Sequence, residues 1–151
     1  MKTYYSFSSN ETELFGEHLA KKLSQQPATS GKHALIFALQ GDLGSGKTTF
    51  VKGFFRGLGI KSRIKSPTFI IMRRNRIRDK IFKNVFHIDA YRMRKPEDLF
   101  VIDFKTIASD PKNIILIEWP ENAKGIIPRA AHRIEFHHGK KESERTIIVK
   151  K

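Results

Sequence analysis

A chain of 151 residues with 29 Lys+Arg against 15 Asp+Glu carries a formal charge of +14, suits one domain spanning 1–151, and is too short for two ordinary domains. It has no cysteine, which excludes a disulfide framework, a thiolate metal site and a cysteine nucleophile. No apolar run approaches membrane-spanning length and the first ten residues lack the apolar segment of a secretory signal, so a cytoplasmic protein with no membrane partner is expected.

Ser8 with Glu11 three residues on forms a capping-box start, and Leu14, Phe15, Leu19 and Leu23 then recur at helical spacing, predicting an amphipathic first helix. Thr12 lies in its first turn, either flanking the base of a bound nucleotide or simply facing solvent. The polar stretch 24–31, with Pro27 and Gly31, ends this helix and returns the chain to a strand.

That strand is the run Ala34, Leu35, Ile36, Phe37, Ala38 and Leu39. Gly41, Asp42, Leu43, Gly44, Ser45, Gly46, Lys47, Thr48 and Thr49 follow, and then Phe50, Val51, Phe54, Phe55 and Leu58 at helical spacing. Strand, G-x-x-x-x-G-K-T loop and helix are the parts of a P-loop in the order its mechanism requires. The glycines permit a tight turn and let backbone N–H groups approach phosphate oxygens with no Cβ in the way. Lys47 then supplies a point charge to the β- and γ-phosphates, the helix start adds its positive end, and the Thr48 hydroxyl is the expected ligand of Mg2+.

Gly57 and Gly59 stop this helix, and residues 60–66 read as a basic loop ending at Pro67. Strands are expected over 68–72 and 81–88, joined as a long hairpin whose charged tip, 73–80, carries Arg73, Arg74, Arg76, Arg78 and Lys80. From Lys61 to Lys83 nine Lys/Arg stand against one Asp, which marks this stretch for direct contact with RNA. The other reading is a charged edge that resists strand-to-strand aggregation.

Asp89 ends the second of these strands, where α/β sheets place ligand chemistry. It either meets the metal through water or orients an attacking water; a strand-end acid also caps turns. Pro96 opens a short helix, and Ser109, Asp110 and Pro111 mark a turn. Residues 113–117 form a continuous apolar strand closed by Glu118, as a Walker B element must to bring a carboxylate to magnesium. Trp119, the only tryptophan, packs beside the site or is a partly buried core ring. Residues 133–136 and 145–149 alternate as a closing hairpin, and His132, His137 and His138 lack zinc spacing. The whole pattern predicts an α/β, P-loop NTPase-like fold: three α/β/α layers around a mixed, mostly parallel central sheet with antiparallel hairpins.

Four stretches, 41–50, 66–69, 87–92 and 117–121, together resemble the bacterial TsaE family, formerly YjeE, in order, spacing and total length. Least similar is the segment between Arg92 and Asn113. The resemblance implies a small P-loop ATPase that acts with TsaB and TsaD in the threonylcarbamoyladenosine modification of tRNAs reading ANN codons. It implies that Lys47 and the loop from Asp42 through Leu43, Gly44, Ser45 and Gly46 bind the phosphates of ATP, that Thr48 and Glu118 ligate magnesium, and that Thr49 supports the nucleotide site. Ser66 and Thr68 would belong to a switch-I-like loop, Asp89 would aid hydrolysis, and Trp119 would pack beside the nucleotide. Two departures stand out: Ala90, where the family usually has Leu, and the pair Asp103 and Phe104, where a glycine followed by an acidic-aromatic pair is more typical.

With no lid segment and no evident arginine finger in cis, slow hydrolysis by the isolated protein is expected. The alternatives are a small-molecule kinase, which would transfer phosphate to a metabolite, and an RNA-binding adaptor holding ATP as a structural ligand, whose RNA binding would survive Lys47→Ala.

Overall fold

The computed structural model describes residues 1–25, 31–61 and 71–150. Ser66, Thr68, the basic loop as far as Pro67 and most of the strand expected over 68–72 lie outside the described residues, as does much of the polar link at 26–30. Seven strands, β1 (Lys2–Ser6), β2 (Leu35–Gln40), β3 (Met72–Arg76), β4 (Asn84–Asp89), β5 (Asn113–Glu118), β6 (His132–His138) and β7 (Arg145–Lys150), form one sheet in the order β1-β7-β6-β2-β5-β4-β3. The four central strands β6, β2, β5 and β4 run parallel. The remaining ladders, β1 with β7, β6 with β7 and β3 with β4, are antiparallel.

Strand parity divides the apolar residues between two faces. Every residue of β5 is buried, as a strand covered on both sides requires. Ile114 and Leu116 join Phe37, Leu39, Val85, Ile134 and Phe136 under helices α1 (Ser9–Ser24) and α2 (Lys47–Gly57). Ile115 and Ile117 join Ile36, Phe86 and Ile88 under helix α3 (Phe104–Ser109) and two 3-10 segments, Pro96–Ile102 and Pro120–Ala123. The layers are those expected, with the short helix at Pro96 realised as a 3-10 segment. No helix among the described residues is long and apolar enough to cross a membrane.

Helix α1 begins as predicted: the Ser8 side chain accepts from the Glu11 amide at 3.2 Å, while the Glu11 carboxylate accepts from the amide of Phe7 at 2.8 Å. Its buried stripe is Thr12, Gly16 and Ala20, and Leu14 is exposed. The helix pair is closer than leucine packing allows. A Cβ on Gly16 would lie 2.3 Å from Phe50 O, one on Gly53 1.8 Å from Glu13 O, and one on Gly57 2.5 Å from Glu17 O. Only glycine therefore fits at these three crossings, and they fix how closely α2 lies against α1.

Two features of the fold differ from what the sequence suggests. Strand β1 was not expected, and its first four residues are exposed, so no alternation announces it. The basic residues Arg73, Arg74 and Arg76 lie in β3 itself, paired with β4 from Met72↔Ile88 to Arg76↔Asn84, and not at a hairpin tip. The connection that follows is pinned to the core by buried Ile77 and Phe82, and the Asp79 carboxylate accepts from the amides of Ile81 and Phe82 at 2.8 and 3.0 Å.

Candidate functional site

The parallel strands all end at one edge of the sheet, where β2 passes into the glycine loop, β4 ends in Asp89, β5 in Glu118 and β6 in the turn toward β7. Register sets Asp89 beside Glu118. Since residues two apart share a face, Glu118 lies on the side of Leu116, under α2, and His87 and Asp89 lie on the side of Val85, under the same helix.

The loop returns the chain directly beneath the start of α2. Gly46 caps this helix at φ 103°, in the left-handed region, and contributes no side-chain cap, so the first amides of α2 keep their hydrogen-bonding capacity for an anion. A Cβ on Gly41 would stand 2.4 Å from Phe136 O, which explains glycine there. The Ser45 hydroxyl is buried with no partner among the described residues. Asp42 and Leu43 stand exposed on the outer rim of the loop, and Thr49 lies within the first turn of α2, half-buried at the cleft wall.

Lys47 is buried, and its ammonium donates to Gly41 O at 2.6 Å and Asp42 O at 2.9 Å. The Trp119 ring covers the same ammonium at 3.9 Å, close enough for a cation–π attraction, and Tyr91 packs against that ring at 4.9 Å. Trp119 has φ 59°, an uncommon conformation for a bulky residue, and it turns the chain immediately after β5 so that the indole reaches over the loop.

Burial holds the Lys47 ammonium below the ordinary lysine value of 10.5, while the carboxylates of Glu118, Glu121, Asp89 and Asp42 act in the opposite sense. Only the charged form attracts phosphate, so the affinity for ADP is expected to fall with rising pH, beginning below that ordinary value. Nucleotide titrations between about pH 7 and about pH 10 check this, with Lys47→Arg as the control whose decline moves out of the window.

Thr48 and Glu118, seventy positions apart in the chain, meet directly: the Thr48 hydroxyl lies 3.0 Å from Glu118 Oε2 and 3.1 Å from Oε1. Two hard oxygen donors at this spacing fit Mg2+, whose neighbouring octahedral ligands at about 2.1 Å stand about 3 Å from each other. Glu118 is 3 % exposed, and its Oε1 also lies 2.8 Å from Nε2 of the wholly buried His87. Asp89 is buried, and its Oδ1 accepts from the Tyr91 amide at 3.0 Å, so it caps the following turn while standing next to Glu118 in the parallel ladder.

A cleft of about 690 Å³ opens over the loop and the start of α2, within the range of small-molecule sites. Thr12 forms one wall and is buried there, its hydroxyl 2.8 Å from that of Ser6, so the solvent-facing alternative for it does not hold. The opposite wall is the β6–β7 turn with Lys141, Glu142, Ser143 and Arg145. Arg145 donates to Gly44 O at 2.9 Å. This guanidinium is an arginine at the rim of the loop, with its bond made to a backbone carbonyl. Sequence reading misses Arg145 and Lys141 because nothing local ties them to a loop some hundred residues earlier. His87 enters that reading only within a motif, although its parity with Asp89 points it to the same face. A second hollow, of about 500 Å³, lies at the other end of the strands between Phe100, Phe104 and Ile126, and is lined by none of these residues.

The family model described as threonylcarbamoyl adenosine biosynthesis protein TsaE matches residues 6–147. Among curated proteins, a tRNA threonylcarbamoyladenosine biosynthesis protein TsaE from Haemophilus influenzae is 37% identical over 97 residues, 64% of this chain and 59% of that protein. One from Borreliella burgdorferi is 43% identical over 94 residues, 62% of this chain and 66% of that protein. The chain thus spans about three fifths to two thirds of the length of these relatives. A crystal structure of Bacillus subtilis YdiB superposes with a TM-score of 0.68 at 27% identity, covering 97% of this chain and 82% of that one. With the family model matched over nearly its whole length, the chain belongs to the TsaE family.

Proposed function

We propose that this protein is a Mg2+-dependent ATPase, a single P-loop domain over 1–151, that serves the threonylcarbamoyladenosine modification of ANN-decoding tRNA together with TsaB and TsaD. The observation that carries the reading is the Thr48 hydroxyl set against the Glu118 carboxylate at the start of α2, with Thr48 itself lining the cleft over the glycine loop. In this reading Lys47 and the amides of residues 42–46 bind the phosphates, and Thr48 and Glu118 hold the metal. When bound there with the nucleotide, magnesium would supply charge neutralisation on its phosphates. Asp89 orients the attacking water, Thr49 supports the site from the first turn of α2, and Trp119 excludes water above the Lys47 ammonium. Thr12, Arg145 and Lys141 border the rest of the nucleotide. Ser66 and Thr68 supply the switch-like loop.

Positioning and electrostatics dominate phosphoryl transfer, so no strong base is required. Hydrolysis by the protein alone is proposed to be slow and completed by TsaB and TsaD. The exposed Arg76, Arg78 and Lys80 are proposed to touch tRNA directly.

One reconstitution tests both parts: TsaB, TsaD and a TsaC-type enzyme with tRNA, in the presence and absence of this protein. Multiple turnovers are expected only when it is present, with turnover by the isolated protein below about 1 per second. Equal multiple-turnover yields without it would overturn the reading. Changing Arg76, Arg78 and Lys80 to Ser is expected to weaken tRNA binding and flatten its salt dependence by about 0.7–0.9 log units per log unit of salt for each phosphate no longer neutralised. An unchanged slope would leave these side chains as a solvated edge.

A further inference from the structure

His87 is the one imidazole held against the candidate metal ligand, and the reaction proposed above assigns it nothing. Its ring is fully buried on β4, with Nε2 2.8 Å from Glu118 Oε1. A carboxylate that binds metal only accepts hydrogen bonds, so Nε2 carries the proton and donates. That tautomer leaves Nδ1 as a lone pair, buried and with no hydrogen-bond partner among the described residues. A buried orphan acceptor is unfavourable, and an apolar residue of similar size would avoid it. Packing alone therefore does not explain histidine here; the bond to Glu118 does.

The ring is fixed from the helix side as well. Phe55, two turns along α2 from Thr48, meets it edge-on at 6.2 Å and 67°. Across the parallel ladder His87 is opposite Leu116, so the bond to Glu118 is a diagonal reach toward the functional edge of the sheet. One helix thus supplies the hydroxyl that meets Glu118 from the front and the ring that steadies its imidazole from behind. Without the imidazole N–H, the Thr48 hydroxyl is left to hold the carboxylate against the pull of the Lys47 charge.

We infer that His87 is a positioning residue: its Nε2–H orients the Glu118 carboxylate so that an oxygen beside the Thr48 hydroxyl stays available to a divalent cation. The inference rests on the Mg2+-nucleotide reading of the site. Buried partners that orient metal ligands change metal affinity by about 10–100-fold when removed.

The test uses Mn2+ with ADP, followed by the electron paramagnetic resonance signal of free Mn2+, in wild type, His87→Phe and His87→Gln. Phe keeps the ring volume without the N–H, and Gln restores an N–H at about the reach of Nε2. At saturating ADP, His87→Phe is expected to raise the half-saturating Mn2+ concentration at least about tenfold, with ADP affinity in chelator changed less than about threefold. His87→Gln is expected to stay within about threefold of wild type for Mn2+. Should His87→Phe not fold, His87→Leu takes its place. Mn2+ uptake equal to wild type without the N–H, or His87→Gln as poor as the apolar variant, would overturn the inference. No ADP-dependent uptake by wild type would instead remove the reading of the site, and this inference with it.

Discussion

Glu118→Gln is expected to lower ATP hydrolysis, and with it the multiple-turnover yield of modified tRNA, by at least about a hundredfold, or about 2.7 kcal/mol of transition-state stabilisation. The substitution keeps the volume of a side chain that is 3 % exposed, so the fold should survive. What changes is charge and hydrogen-bond sense. Both carboxylate oxygens face the Thr48 hydroxyl and one also faces His87 Nε2. An amide presents its NH2 to one of these donors and offers a metal no negative charge. Phosphate release and product formation, measured beside wild type, check the expectation. Equal yields would remove Glu118 from the metal site.

Gly53→Ala is expected to cost about 3 kcal/mol or more, a fall of roughly 6–12 °C in melting temperature. Two effects oppose each other. Alanine favours the helix by about 1 kcal/mol over glycine. Against that, the new Cβ would stand 1.8 Å from Glu13 O and 2.6 Å from its carbonyl carbon, both backbone atoms of α1 that no rotamer change can move. The clash decides the sign. As a contrast, Gly59 has φ +76° with nothing within 4 Å of an added Cβ, so Gly59→Ala should cost only backbone strain, about 1–2 kcal/mol. Thermal unfolding of the two variants separates these cases. Because α2 begins with Lys47 and Thr48, the Gly53 variant that remains folded should also bind nucleotide more weakly.

Local pattern carries the parts of the site that are consecutive in sequence. The loop from Gly41 to Thr48 is one uninterrupted run, and the apolar strand before Glu118 is another. Their meeting follows from strand parity and helix start, both readable residue by residue. Features built from distant pairs are not readable in this way. Gly16, Gly53 and Gly57 look like interruptions of helical pattern, and only the crossing of α1 with α2 turns them into contact points. Arg145 reaches Gly44 because β6 lies beside β2 and the turn to β7 folds back over the loop. His87 finds Glu118 across two strands, a relation that no spacing within either strand encodes. The basic run reads as a turn only when charge outweighs the alternation that β3 shows from Arg73 on, with Arg73 and Asn75 half-buried and Arg74 and Arg76 exposed.

The β1–β7 ladder sets Lys2 against Val149 and Ser6 against Arg145, so both outer segments run away from the cleft side by side. Fluorophores attached near residues 2 and 149 should therefore remain close while the chain is folded and separate on denaturation. A surface tether near either position would leave the nucleotide entrance free, about four residues or roughly 13 Å away along the strand.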